Sequence, residues 1–122
     1  HLNTLAGGEY FGFCLDTGHA NLTNISLHEY IVTLGKRLKI FHVHDNDGTD
    51  DMHLMPYTCV NRNLKHELNW NELISGLREA KWEGYLSFEI GNVARVFPAS
   101  VQKEALQLIS AIGRHIANEA QK

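Results

Sequence analysis

The chain predicts an α/β domain built on a parallel sheet of three strands, each followed by a helix, and three observations carry that prediction. Apolar runs at 10–15, 38–44 and 85–90 alternate with segments whose apolar residues recur at helical spacing. Each apolar run stops at an acid or an imidazole: Asp16 and His19 after the first, His42-Val43-His44-Asp45 closing the second, Phe88-Glu89 closing the third. Strands that alternate with helices are joined by right-handed crossovers and therefore lie parallel. Acid and imidazole groups at the C-terminal ends of consecutive parallel strands are what the mouth of a (β/α)8 barrel requires.

The elements follow in order. Residues 1–9 hold Gly7-Gly8 and no strong period, as the tail of an earlier helix or a loop would. The run at 10–15 is apolar on both faces, which predicts a strand covered on both sides. Ser26-Leu27-His28-Glu29 has the form of a capping box, and Leu27, Tyr30, Ile31 and Leu34 continue at helical spacing to a stop at Gly35. In the second strand Ile40, His42 and His44 share one face and Phe41 and Val43 the other. A long polar loop spans 45–67 and contains Pro56; loops of that length in compact domains usually serve function or move. Asn69 with Glu72 opens the next helix, striped by Trp70, Leu73, Ile74 and Leu77. After the third strand a loop is expected over 91–99. Ser100 is expected to cap a last helix with Val101, Ala105, Leu108, Ile109, Ile112 and Ile116 on its core face.

Three units do not close a barrel. A full one takes about 250 residues, and 122 is about half of that. The expected domain is thus a single incomplete one, 1–122, whose outer strands expose unpaired edges. Such a piece is expected to pair with another copy, as a homo-oligomer, or to borrow the missing strands. A net charge of −3 without a basic stripe argues against nucleic acid as the main partner. No apolar segment approaches the roughly 20 residues of a membrane span. The two cysteines sit in unlike contexts, Cys14 in a strand read as buried and Cys59 in a polar loop, and nothing demands a bridge. A reduced, cytoplasmic setting is the expectation.

Eight histidines, several beside Asp, point toward metal chemistry. Asp16 and His19, three apart, read either as a turn cap with a surface imidazole or as ligands. His42 reads either as a satisfied core histidine or as a ligand. Glu89 is harder to assign to structure alone, because a carboxylate at a buried strand end is costly unless paired or bound to a cation. Asp16, His42 and Glu89 together offer hard oxygen and imidazole donors that suit Mn, Mg, Co or Zn without choosing among them. Asp51 and His53 form a second acid–imidazole pair in the long loop, for a second metal or for the polar end of a substrate, or simply solvated. His44 is either pocket-lining or packing. Arg62 and Lys65 could meet phosphate or hydroxyl groups, or face solvent.

Four motifs in order, Leu15-Asp16-Thr17-Gly18-His19-Ala20-Asn21, Lys39-Ile40-Phe41-His42-Val43-His44-Asp45-Asn46, Asp51-Met52-His53-Leu54-Met55-Pro56 and Gly84-Tyr85-Leu86-Ser87-Phe88-Glu89, resemble the C-terminal part of the xylose isomerase-like TIM-barrel superfamily. That superfamily holds sugar phosphate isomerases and epimerases, ketose 3-epimerases and endonuclease IV-type enzymes. The resemblance implies the last three βα units of the barrel and a divalent metal held by Asp16, His42 and Glu89. It further implies Glu89 as a catalytic acid or base and His19 as a catalytic or substrate-contacting group. Its sugar branch implies a metal-dependent isomerase or epimerase acting on a small sugar or sugar phosphate. A fourth ligand, a Glu, comes from an earlier strand in that branch and is not within these 122 residues, so the isolated chain is expected to be weakly active or inactive. The endonuclease branch would draw His19, Asp51 and His53 into a multi-zinc cluster for phosphodiester cleavage. A non-catalytic barrel fragment is the third reading. Many relatives continue after Pro56 with a Gly-Glu-Gly turn, where this chain reads Tyr57-Thr58-Cys59-Val60-Asn61-Arg62.

Overall fold

A computed structural model describes residues 1–59 and 67–122. Its core is a three-stranded parallel sheet in the order β1 (Phe13–Asp16), β2 (Leu38–Val43), β3 (Leu86–Phe88). The helices are α1 (Leu2–Ala6), α2 (Thr17–Leu22), α3 (Leu27–Leu34), α4 (Trp70–Glu79), α5 (Gly91–Val96) and α6 (Gln102–Ala120). Parallel strands with helical connections make the expected α/β architecture, consistent with part of a TIM barrel. Arg62 and Lys65 lie outside the described residues.

Alternation along β2 decides what lies on each side of the sheet. Phe41 and Val43 are fully buried against the helices, whereas Ile40 and His42 face the other side and remain partly open. Phe41 meets Trp82 edge-on at 4.9 Å, and the Trp82 indole N–H donates to the Leu38 carbonyl. Leu15, Leu27, Ile31, Leu34, Leu73, Leu77 and Ile116 complete the core. Each such side chain contributes about 1.5–3 kcal/mol on burial. Between Phe13 and Cys14 the β1–β2 register shifts by one residue, so that Lys39 has no partner and Asp16 comes opposite His42.

The two central helices are held at their starts by one side chain. The Ser26 hydroxyl accepts from the Glu29 amide, as the capping box predicts, and the carboxylate that answers it belongs to Glu72 of α4. Glu72 Oε2 accepts from both the Ser26 hydroxyl and the Leu27 amide, and Oε1 from the Asn69 side chain. Asn69 in turn accepts from the amides of Asn71 and Glu72. Gly76 lets α4 approach α3 closely, since a Cβ there would stand 3.1 Å from the His28 Cα.

Several local expectations are corrected. The run at 10–15 is not covered on both faces: Leu15 is buried, but Tyr10, Phe11, Phe13 and Cys14 are exposed. The Arg37 guanidinium stands over the Phe13 ring, 5.7 Å from its centroid, without burying it. Cys14 is the exposed cysteine and Cys59 the buried one, the reverse of the expected contexts. Short helices occupy 17–22, where only a turn past the strand end was expected, and 91–96, where a loop was expected. Ser100 lies inside a 3-10 turn, Ala99–Val101, and does not cap α6. On α6, Ile109 and Ile116 are buried while Leu108 is exposed, and Val101, expected on the same core face, is exposed in the turn before the helix.

Candidate metal centre

The C-terminal ends of the three strands converge. Asp16 closes β1, His42 lies opposite it in β2, and Glu89 follows β3, with its amide donating to the Val43 carbonyl to extend the ladder by one bond. Alternation sends His42 to the side opposite Phe41 and Val43, toward the two carboxylates. His42 Nδ1 is 3.4 Å from Glu89 Oε2 and 3.9 Å from Asp16 Oδ2. One donor atom from each of the three lies within 4.8 Å of the others. The sequence set Asp16, His42 and Glu89 is thus brought together at one point.

A second group stands beside it. His44, Asp51 and His53 also place donors within 4.8 Å of one another. His53 Nε2 and His19 Nε2 lie 3.2 and 3.3 Å from the same oxygen of Asp51. His53 Nδ1 donates to the Glu89 carbonyl at 2.7 Å. A carbonyl only accepts, so Nδ1 carries a proton, and in the neutral ring Nε2 keeps its lone pair.

Asp16 joins the groups and plays both roles considered for it. It is the N-cap of α2, with Oδ1 accepting from the His19 amide, and Oδ1 also accepts from His44 Nε2 at 2.9 Å. Oδ2 faces the His19 and His42 rings. Burial opposes ionisation, but the His44 and His19 hydrogen bonds, with the nearby imidazoles, outweigh it and hold the Asp16 pKa at about 2. For His44, burial disfavours the charged ring and the bond to Asp16 more than offsets it, raising the pKa above its ordinary value. His19 itself is exposed, its side chain at the rim of the site.

His44 does not sit on the open face beside His42. The strand ends at Val43, and the His44 backbone exchanges two hydrogen bonds with the Thr17 hydroxyl, which accepts from its amide at 3.0 Å and donates to its carbonyl at 2.7 Å. The ring is turned inward, fully buried, stacked face to face on His53 at 4.1 Å and laid against Gly18. Its Nδ1 has no hydrogen-bond partner among the described residues. Thr17, Gly18 and Asn46 stand in the motifs without an expected role; their contacts join segments 27 and 28 residues apart, which no local pattern reveals.

The donor set suits a cation. Among the described residues the ion-pairing partners of the Asp16, Asp51 and Glu89 carboxylates are imidazoles, with no Lys or Arg paired to them. Clustered acids without a permanent positive partner repel one another unless a cation or protonation relieves them. Two carboxylates and an imidazole are donors for a hard or borderline divalent ion.

The sequence description xylose isomerase-like TIM barrel matches residues 5–112. The chain belongs to that family. The chain is similar to the uncharacterised protein y4fM of Sinorhizobium fredii, 28% identical over 81 residues that are 66% of this chain and 24% of that protein. It is also similar to the uncharacterised protein MJ1311 of Methanocaldococcus jannaschii, 28% identical over 102 residues, 81% of this chain and 32% of that one. The chain therefore spans about a quarter to a third of the length of these relatives. No solved structure matches it. Among the described residues, no helix is long and apolar enough to cross a membrane.

Proposed function

We propose that this chain supplies the divalent-metal-binding part of an isomerase or epimerase that moves a proton beside the carbonyl of a small sugar or sugar phosphate. The observation that carries the reading is the convergence of Asp16, His42 and Glu89 from three adjacent strand ends. Divalent metals are common in the family, which supports the same reading. Asp16, His42 and Glu89 would hold the ion, Mn, Mg, Co or Zn. A cation bound there polarises a carbonyl and eases loss of the neighbouring carbon-bound proton.

The remaining work falls to the chain's own groups. Both close contacts of the Glu89 carboxylate with imidazoles are made by Oε2, which leaves Oε1 to take or return the substrate proton. His19, exposed at the rim and 3.3 Å from Asp51, is placed to bind a substrate hydroxyl. Asp51 Oδ2 accepts from His19 Nε2, while the unprotonated His53 Nε2 faces the same oxygen as a second donor atom for an ion.

The test uses the intact protein, stripped with chelator and reloaded with one metal at a time. Exchange of the substrate's carbon-bound proton with deuterated water is expected to vanish on stripping and to return on reloading. Glu89→Gln is expected to lower it by about 10²–10⁴-fold. Exchange that survives Glu89→Gln undiminished would remove Glu89 from the chemistry and the reading with it.

One observation favours a second reading. The donor group His44, Asp51 and His53 beside the first gives room for two ions, the arrangement used for phosphodiester hydrolysis. Metal-dependent cleavage of duplex DNA at an abasic position, with binding that falls steeply with salt, would select it. The net charge of −3 weighs against it.

A further inference from the structure

We infer that Asp45 is a positioning residue whose buried carboxylate closes the base of the loop after β2, so that His53 is delivered between His44 and the Glu89 backbone. Asp45 is 2% exposed. Its amide donates to the Leu54 carbonyl at 2.8 Å, and its carbonyl accepts from the Leu54 amide at 2.9 Å. One carboxylate oxygen accepts from the Asn46 amide, 2.9 Å away, and the other from the Cys59 amide, 3.2 Å away. A loop fifteen residues long (45–59) is thus gathered on a single side chain and its backbone. Asp51 and His53 lie in the span between Asp45 and Leu54.

Asn46 fastens the same loop to α2. Fully buried, it donates to the Gly18 carbonyl at 2.9 Å, and its oxygen accepts from Asn21 at 2.8 Å and from the Gly48 amide at 3.0 Å. The far end is held under load. His53 has φ 49°, a left-handed backbone that costs a residue with a Cβ of order 1 kcal/mol or more and persists only where its surroundings over-determine it. Those surroundings are the flat stack on His44 and the 2.7 Å bond from Nδ1 to the Glu89 carbonyl. Asp45 itself touches none of Asp16, His42 and Glu89 among the contacts of its carboxylate, so it acts through the loop.

A buried carboxylate is expensive: burial pushes the Asp45 pKa up, and its backbone donors offset only part of that cost. Asn in its place keeps the shape but turns an NH2 toward one of those donors. Asp45→Asn therefore separates the charge-assisted clamp from mere packing. Its effect on turnover rests on the proposed isomerase reading; its effect on His53 does not.

The experiment is 15N NMR of the His53 ring with hydrogen exchange, on metal-stripped intact protein. In the unsubstituted protein the ring is expected as the Nδ1–H tautomer. In Asp45→Asn its nitrogen shifts are expected to move to a tautomer average. The Leu54 amide is expected to exchange at least about tenfold faster, which is about 1.4 kcal/mol of local opening, with Phe41 and Val43 still protected. Unchanged His53 shifts would overturn the inference, as would protection lost equally from β2. If Asp45→Asn does not fold, native-state exchange of the unsubstituted protein decides. The Leu54 and Cys59 amides must then open together, and independent opening overturns the clamp. A protein that turns over no sugar yet shows the His53 change would sink the isomerase reading and leave this one standing.

Discussion

At the scale of single residues, the site depends on what is missing as much as on what is present. Gly18 has no side chain, and a Cβ there would sit 2.0 Å from His44 Cε1. The ring cannot step aside, because it is fully buried and stacked on His53. Gly18→Ala is therefore expected to cost about 1–3 kcal/mol, the usual range for overpacking, and to break the 2.9 Å bond from His44 to Asp16. Denaturant unfolding measures the first effect and the His44 ring shifts the second. Unaltered stability and shifts would mean that the helix start yields instead. Asp16, His42 and Glu89 were legible in the sequence because a strand end fixes which way a side chain points. Asn46, Thr17 and Gly18 were not, since their contacts join segments 27 and 28 residues apart; neither was Asp45, because a buried Asp looks like a loop Asp until its donors are known.

At the scale of elements, stability at the mouth is shared between α3 and α4 through Glu72. One carboxylate takes the Leu27 amide and the Ser26 hydroxyl at the start of α3 and steadies Asn69, the cap of α4, so its loss loosens both helix starts at once. Glu72→Ala is expected to lower stability by about 1–3 kcal/mol, and by more than Ser26→Ala, which removes the partner at one helix only. Equal effects in denaturant titrations would contradict this sharing. The periodic elements with caps, α3, α4 and the middle of β2, were read correctly in place and type. The misses were α2 and α5, six residues each, less than two turns and too short to show an apolar period. The covering of 10–15 was misread for a different reason. Apolar side chains signal that something packs on them, but not that the packing partner lies in the same stretch of chain.

At the scale of the whole molecule, the sheet is open where a barrel would continue. Among the described residues β1 and β3 pair only with β2, and the apolar side chains Phe13 and Ile40 are 44% and 50% exposed. Unpaired edges beside an apolar face invite association. The isolated 122-residue chain is expected to sediment at micromolar concentration as a species larger than a monomer, and Ile40→Lys to weaken that association. A monomer under those conditions would end the expectation of self-pairing. The register shift between Phe13 and Cys14 has a consequence for how such a chain tolerates change. Because the unpaired residue, Lys39, sits upstream of the pairs Leu15–Phe41 and Asp16–His42, the sheet has a slack link there. Insertions or deletions in the turn before β2 can be absorbed at that link, leaving the spacing of the two facing donors as it was.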